Sequence, residues 1–274
     1  MRLANKVAIV SGSGRGIGQA VALRLASEGA AIIVNDLDDA AAAETVATIE
    51  AAGGRAILCV GDVTEPGFAE RFVGTALDTF SGLDIIVNNA GYTHDAVIQK
   101  QTDEQFEAML DVHVTAPFRI LRAAAEPWRM MAKAEEAEGR EVIRKVVNVS
   151  SIAGTSGNPG QVNYSAAKAA VLGMTKTLAK EWGRYKVCVN CVAYGFIETR
   201  LTAPTGDPRA CIEIAGTDIQ AGIPLSAIAA IKDRIPLGRA GRVDEAAGPV
   251  SFLCLPDSDY VSGQILIIDG GLAL

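Results

Sequence analysis

Tyr164 and Lys168 stand four residues apart in Tyr-Ser-Ala-Ala-Lys, and Ser151 lies thirteen residues before the tyrosine in Asn-Val-Ser-Ser. On a helix, positions i and i+4 share a face, so the ammonium lies beside the phenol. A free phenol titrates near pKa ~10, too high for proton exchange at neutral pH, and a neighbouring cation lowers that value by favouring the phenolate. A serine hydroxyl at the end of the preceding strand can hold a carbonyl oxygen. The three groups form a proton donor for a carbonyl being reduced, or a base for an alcohol being oxidised. A Tyr-x-x-x-Lys pair alone is also what an ordinary exposed helix carries, so the upstream sequence has to decide.

The elements that position these residues alternate regularly. Strand-like runs fall at 7–10, 31–35, 56–60, 85–88, 145–149, 187–193 and 264–268, with helical stretches at 16–28, 38–52, 66–80, 103–133, 162–182 and 243–253. Continuous apolar strands joined by helices imply a parallel sheet covered on both faces. Thr102-Asp-Glu-Gln105 reads as a capping box opening the fourth helix, and Pro117 is expected to kink it. With no internal repeat and no linker, residues 1–274 read as a single domain.

The first strand runs into Ser11-Gly-Ser-Gly-Arg-Gly-Ile-Gly18 and then a helix. A glycine-rich turn at that junction lets backbone N–H groups at the helix start approach a pyrophosphate. The spacing is Gly12-x-x-x-Gly16-x-Gly18 rather than G-x-G-x-x-G, with Ser13, Gly14, Arg15 and Ile17 between the glycines. Gly12, Asp36, Asp62, Asn88, Ser151 and Gly195 each follow a predicted strand, and those strand ends share one sheet edge, where ligands bind at the reversal of strand order. Asp36 ends the second strand. A carboxylate there accepts hydrogen bonds from both ribose hydroxyls of NAD and repels the 2′-phosphate of NADP, so NAD is the expected cofactor over NADP. Arg15 weighs the other way, because a guanidinium in the turn could meet a phosphate.

These residues resemble the short-chain dehydrogenase/reductase family. That family's pattern is Thr-Gly-x-x-x-Gly-x-Gly, Asn-Asn-Ala-Gly, a serine and Tyr-x-x-x-Lys; Ser11 to Gly18, Asn88-Asn-Ala-Gly91, Ser151, Tyr164 and Lys168 match it, and the likeness runs to Asp269-Gly-Gly271. The resemblance implies a single-domain, Rossmann-type, doubly wound parallel sheet of about seven strands with helices on both faces. It implies that Asp62 and Val63 border the adenine, that Asn88, Ala90 and Gly91 line the ribose side, and that Ile197 and Thr199 touch the nicotinamide amide. Tyr164 would transfer the proton, Lys168 would lower its pKa and hold the nicotinamide ribose, and Ser151 would polarise the oxygen. Residues 199–235 would form a substrate lid, and the fourth and fifth helices would build a homotetramer.

Three departures stand out. His113, in Asp-Val-His-Val, replaces the family's asparagine, which helps hold a water linked to the lysine; the imidazole either preserves that hydrogen bonding or simply packs. Tyr194-Gly195 replaces Pro-Gly, and its phenol either borders the site or replaces the ring sterically. The charged stretch from Met131 to Arg144 is longer than usual and is expected to extend the fourth helix as a solvated face.

The lid's Ala, Ile, Leu and Pro content points to an apolar carbonyl or alcohol substrate. The nearest character is that of 3-oxoacyl-thioester (3-oxoacyl-ACP) reductases, through Gly238-Arg-Ala-Gly-Arg-Val-Asp-Glu245, an ending widespread in the family. Alternatives are a steroid, polyol or sugar alcohol dehydrogenase, or a dinucleotide-sensing binding protein without turnover. Arg119, Arg122, Arg129 and Lys133 either meet an acidic carrier protein or form an ordinary exposed helix face. A net charge of −7 argues against nucleic acid as a partner. No apolar run reaches the ~20 residues of a membrane span, and no signal-peptide core precedes the first strand, so a cytoplasmic location is expected. Cys188 and Cys191 fall on a strand with their side chains on opposite faces, which favours small buried residues over a redox pair, and His94 and His113 make no metal cluster.

Overall fold

Seven parallel strands form the central sheet of the computed structural model, which describes residues 1–207, 211–214, 217–220 and 222–273. They are β1 (Val7–Val10), β2 (Ala31–Val34), β3 (Arg55–Leu58), β4 (Ile85–Asn88), β5 (Arg144–Ser151), β6 (Val187–Tyr194) and, last in the chain, β9 (Ile265–Ile268). Their spatial order is β3-β2-β1-β4-β5-β6-β9, so the direction of winding reverses between β1 and β4. The helices are α1 (Gly16–Ser27), α2 (Asp39–Ala51), α3 (Phe68–Phe80), α4 (Asp103–Leu110), α5 (Ala116–Ala137), α6 (Ala153–Ser156), α7 (Val162–Trp182), α8 (Leu225–Arg234) and α9 (Val243–Cys254).

The period-2 alternation of β1 shows how both faces are used. Val7 and Ile9 pack into a core with Phe68 and Phe72 of α3, Ile120 of α5 and Ala167 of α7. Ala8 and Val10 point the other way, toward Val21 and Leu25 of α1, Ile49 of α2 and Val250 of α9. A strand buried on both faces has no polar side to alternate with, hence its continuous apolar run. Under α5, the indole of Trp128 donates to Leu83 O at 2.8 Å and meets Trp182 edge-to-face at 5.6 Å.

Thr102 and Gln105 form the expected capping box. The long fourth helix differs from expectation. It divides into α4 and α5 around one wide turn, Asp111–Thr115, in which Ala116 N–H donates to Asp111 O. Pro117 has no N–H to give the carbonyl four residues earlier, and the chain answers with an i→i+5 turn in place of a simple kink. Arg144 also departs from the solvated reading. It opens β5, is 2% exposed, and forks onto Glu135 at 2.6 and 2.9 Å. Within 199–235, β7 (Cys211–Ile214) and β8 (Thr217–Gln220) form an antiparallel hairpin ahead of α8. Residues 208–210, 215–216 and 221 of that expected lid lie outside the described residues.

Candidate active site

A cleft of about 1740 Å³ runs along the carboxyl edge of the sheet, across the reversal between β1 and β4. Gly12, Arg15, Gly16, Ile17 and Gly18 line it from the first turn, and Asp36, Asp62 and Val63 from the ends of β2 and β3. Ala90 and Gly91 follow β4, Ser151 ends β5, Tyr164 and Lys168 come from α7, and Ile197 and Thr199 follow β6. Ser13, Gly14 and Asn88 do not line the cleft. Ser13 is fully buried, with its hydroxyl on Val10 O at 2.7 Å.

The glycine turn is packed against itself. A Cβ on Gly18 would lie 2.0 Å from Gly12 O, and one on Gly12 would lie 2.8 Å from the Ala90 backbone. Gly16 has φ +57° and open space beside it. Helix α1 starts there with no side chain capping its first turn, so its N–H groups are left for an anion. Asn89, which sequence reasoning passed over, holds the turn by donating to Ser11 O and Gly12 O at 3.0 and 2.9 Å. These features fit the pyrophosphate of a dinucleotide.

At the catalytic end, Lys168 is 4% exposed, and its Nζ donates to Val149 O at 2.8 Å. The Ser150 hydroxyl donates to Lys168 O at 2.8 Å, tying α7 to β5. A Cβ on Gly154 would come within 2.6 Å of the Lys168 carbonyl carbon, so α6 packs on α7 only through glycine. Nζ lies 5.6 Å from the centre of the Tyr164 ring. Burial pulls the Lys168 pKa down to about 8. Burial also pushes Tyr164 up to about 12, against a hydrogen bond with Ser151 that pulls it down. Lys168 is not among the groups that move the phenol, so the expected lowering by the lysine is not found and desolvation sets the direction. A phenol that holds its proton at neutral pH suits a donor in reduction.

Asn88 turns its amide into the protein. It donates to Asn148 Oδ1 at 2.9 Å, and Asn148 donates to Thr175 Oγ1 of α7 at 2.9 Å. The chain fixes α7, and with it Tyr164 and Lys168, to β4 and β5. Asn148→Ala leaves the Asn88 amide and the Thr175 hydroxyl short of a buried partner. Urea denaturation is expected to show a loss of about 1–3 kcal/mol; an unchanged midpoint would refute this role.

Two other open residues now have places. The Tyr194 phenol donates to Ala246 O at 2.7 Å and is 5% exposed, so it braces β6 against α9. His113 is 3% exposed and packs beside Tyr164. The cationic row on α5 is largely engaged: Arg119 donates to Thr64 O, Arg129 forks onto Glu126, and Arg122 stacks on Phe118. Sequence reasoning also missed Asp95 and Arg200 on the cleft wall. Asp95 accepts from Gln161 at 2.7 Å, and burial raises its pKa.

The family model described as Enoyl-(Acyl carrier protein) reductase matches residues 12–273. A 3-oxoacyl-[acyl-carrier-protein] reductase from Synechocystis sp. is 38% identical, covering 99% of this chain and 98% of that one. The corresponding enzyme FabG of Thermotoga maritima is 36% identical over the whole of both chains. The hydroxyacyl-CoA dehydrogenase ChsB1 of Mycobacterium tuberculosis is 36% identical over 98% of this chain and 78% of its own. Among solved structures, a gluconate 5-dehydrogenase from Burkholderia cenocepacia, in complex with NADP and tartrate, superposes with a TM-score of 0.83 at 31% identity, covering 99% and 96% of the two chains.

That neighbour's NADP overturns the expectation of NAD drawn from Asp36. The carboxylate is already engaged: Gly14 N–H donates to one oxygen at 3.0 Å and Asp38 N–H to the other at 3.2 Å. Two guanidiniums, Arg15 and Arg200, line the same cleft, and the Arg200 pKa responds to both Arg15 and Asp36. Reading Asp36 alone gave its charge too much weight. From the parallel sheet, the glycine turn and the Ser-Tyr-Lys group in the cleft to the full-length likenesses, the chain belongs to the short-chain dehydrogenase/reductase family of oxidoreductases.

Proposed function

We propose that this protein is an NADP(H)-linked 3-oxoacyl-thioester reductase. The observation that carries the reading is the convergence of Ser151, Tyr164 and Lys168 on one cleft whose lid side is apolar. Phe196, Ile223, Ile231 and Leu272 pack there, and all four line the cleft. An acyl chain suits such a wall better than a polyol does. The full-length likeness to 3-oxoacyl reductases supports the same substrate class.

When bound, the dinucleotide supplies hydride from its nicotinamide ring. Ser151 donates a hydrogen bond to the substrate carbonyl oxygen and Tyr164 gives that oxygen its proton. The Lys168 ammonium stabilises negative charge left on the phenol. Gly12, Gly16, Ile17 and Gly18 hold the pyrophosphate. Asp62 and Val63 sit at the adenine, Ala90 and Gly91 at the ribose, and Ile197 and Thr199 at the nicotinamide amide. Residues 199–235 act as the lid of a single domain. The reading includes a cytoplasmic location and a homotetramer built on α5 and α7; Phe118 and Met130 of α5 are 48% and 54% exposed.

Arg15 pairs with Asp38, whereas the Arg200 guanidinium has no hydrogen-bond or ion-pair partner among the described residues. Burial and the charge of Arg15 both push the Arg200 pKa down, and an anionic phosphate near the pair relieves that repulsion. NADPH is therefore expected to give a higher kcat/KM than NADH. Arg15→Ala and Arg200→Ala are each expected to erode that ratio by about 10-fold, the scale of one charge-assisted hydrogen bond. Unchanged ratios in both variants would remove the arginines from cofactor choice. A panel of 3-oxoacyl thioesters, sugar acids and ketosteroids with both cofactors tests the substrate class. Thioesters are expected to lead, and preferential turnover of a sugar acid would displace the proposal.

A further inference from the structure

We propose that His113 is a positioning residue that braces the Tyr164 ring through its own aromatic ring and takes no part in a hydrogen-bonded relay. Three contacts hold the imidazole. Its Nε2 lies 2.8 Å from Tyr92 O. A carbonyl oxygen only accepts, so Nε2 carries the proton and Nδ1 is a bare lone pair. The ring meets Tyr164 edge-to-face, with centroids 5.1 Å apart and planes at 83°. That is favourable geometry for an aromatic pair. Behind it, a Cβ on Gly91 would lie 2.1 Å from Cε1 and 2.6 Å from Nδ1, so the backbone of Gly91 is laid on the ring edge.

The remaining polar atom is sealed. Nδ1 is buried and has no hydrogen-bond partner. With Nε2–H committed to Tyr92 and Nδ1 closed in, the imidazole has no free donor to offer Lys168 or the cleft. Burial and the nearby Lys168 charge also keep it neutral, well below the usual histidine range. What His113 presents to the active site is a ring of fixed orientation.

The wide turn in the chain explains how that ring arrives there. His113 sits in the middle of Asp111–Thr115, whose i→i+5 turn shifts the helix register by one residue between α4 and α5. The Nε2–H bond joins the turn to the loop after β4, in which Tyr92, Thr93, His94 and Asp95 line the cleft. His113 thus keys three separate parts of the chain, that loop, the wide turn and α7, to the orientation of one phenol.

The inference rests on Tyr164 being the proton donor, and its test has a readout independent of turnover. A relay role and a bracing role predict opposite rescues. His113→Phe keeps the ring and loses both nitrogens, whereas His113→Asn keeps hydrogen-bonding capacity and loses the ring. We expect His113→Phe to retain kcat within about 10-fold of the parent, the modest scale of an aromatic contact kept and a hydrogen bond lost. His113→Asn is expected to lose substantially more kcat with little change in KM. An asparagine variant as active as the phenylalanine variant, or more active, overturns the proposal. The second readout is the ¹⁵N spectrum of the wild-type imidazole at neutral pH, which needs no variant to fold. A neutral ring protonated at Nε2 is expected; an imidazolium or the Nδ1–H tautomer overturns the proposal. Failure of Tyr164 itself as proton donor would appear separately, as normal turnover in Tyr164→Phe.

Discussion

Replacing Tyr164 by phenylalanine is expected to lower kcat by at least ~100-fold, the lower end of what a positioned general acid contributes. The ring and its contact with His113 remain, and only the transferable proton is lost. Among the described residues the phenol's hydrogen-bond partner is Ser151, so the fold and dinucleotide binding should survive. Steady-state kinetics together with dinucleotide fluorescence titration check this. Normal turnover by the variant would mean that the proton comes from elsewhere. Because burial holds the phenol near pKa 12, Tyr164 stays protonated throughout the neutral range. Any alkaline loss of reductive activity well below pH 12 belongs to another group.

That group is Lys168, and Lys168→Met carries the second large effect. Removing the ammonium should cost kcat at least ~100-fold, since the charge left on the phenol then has no counter-ion in a buried site. Stability should not fall in parallel. The folded pKa of Lys168 is about 8 against an ordinary 10.5, so the fold favours the uncharged form. Below pH 8 the lysine is charged in both states, and the full desolvation cost is present. As pH rises from about 8 toward 10.5, the folded protein has lost the proton while the unfolded chain still holds it, so this cost fades and stability from the site rises. The shift corresponds to about 3 kcal/mol at neutral pH, at 1.36 kcal/mol per pKa unit. Methionine removes that cost but orphans Val149 O, a penalty of about 1–3 kcal/mol. Thermal denaturation at neutral pH should therefore find Lys168→Met as stable as the parent or more so. In the parent, reductive kcat should be flat up to about pH 8 and fall above it as the ammonium is lost. A variant that is both active and destabilised would show that the buried lysine serves the fold and not the chemistry.

Much of this architecture was legible in the residues because the fold rests on local patterns. A strand buried on both faces must be apolar throughout, and a turn against a helix start must be glycine where a Cβ would strike Gly12 O. What stayed hidden depended on direction within an element. Asn88 and Asn89 are adjacent at the end of β4, and successive side chains there diverge. Asn88 turned toward Asn148 and Asn89 toward the glycine turn, a choice their identities do not express. Asp36 looked decisive for cofactor choice because the Gly14 N–H that engages it and the cation of Arg200 come from distant parts of the chain. Pro117 announced a disruption, but the wide turn that aims His113 at Tyr164 is a three-dimensional solution to it. The expected lowering of Tyr164 by its neighbouring cation was not found either, because desolvation of the phenol, which residue spacing does not express, sets the direction.

The most direct measurement is reduction of a 3-oxoacyl thioester by the purified protein with NADPH carrying deuterium at nicotinamide C4, using each of the two C4 epimers in turn. Mass spectrometry of the product should find one deuterium at C3 of the 3-hydroxyacyl thioester from one epimer and none from the other, with Tyr164→Phe forming little product from either. A hydroxyacyl product without deuterium from both epimers, or no hydroxyacyl product under conditions where a sugar acid is turned over, would contradict hydride delivery to a 3-oxoacyl carbonyl at this site.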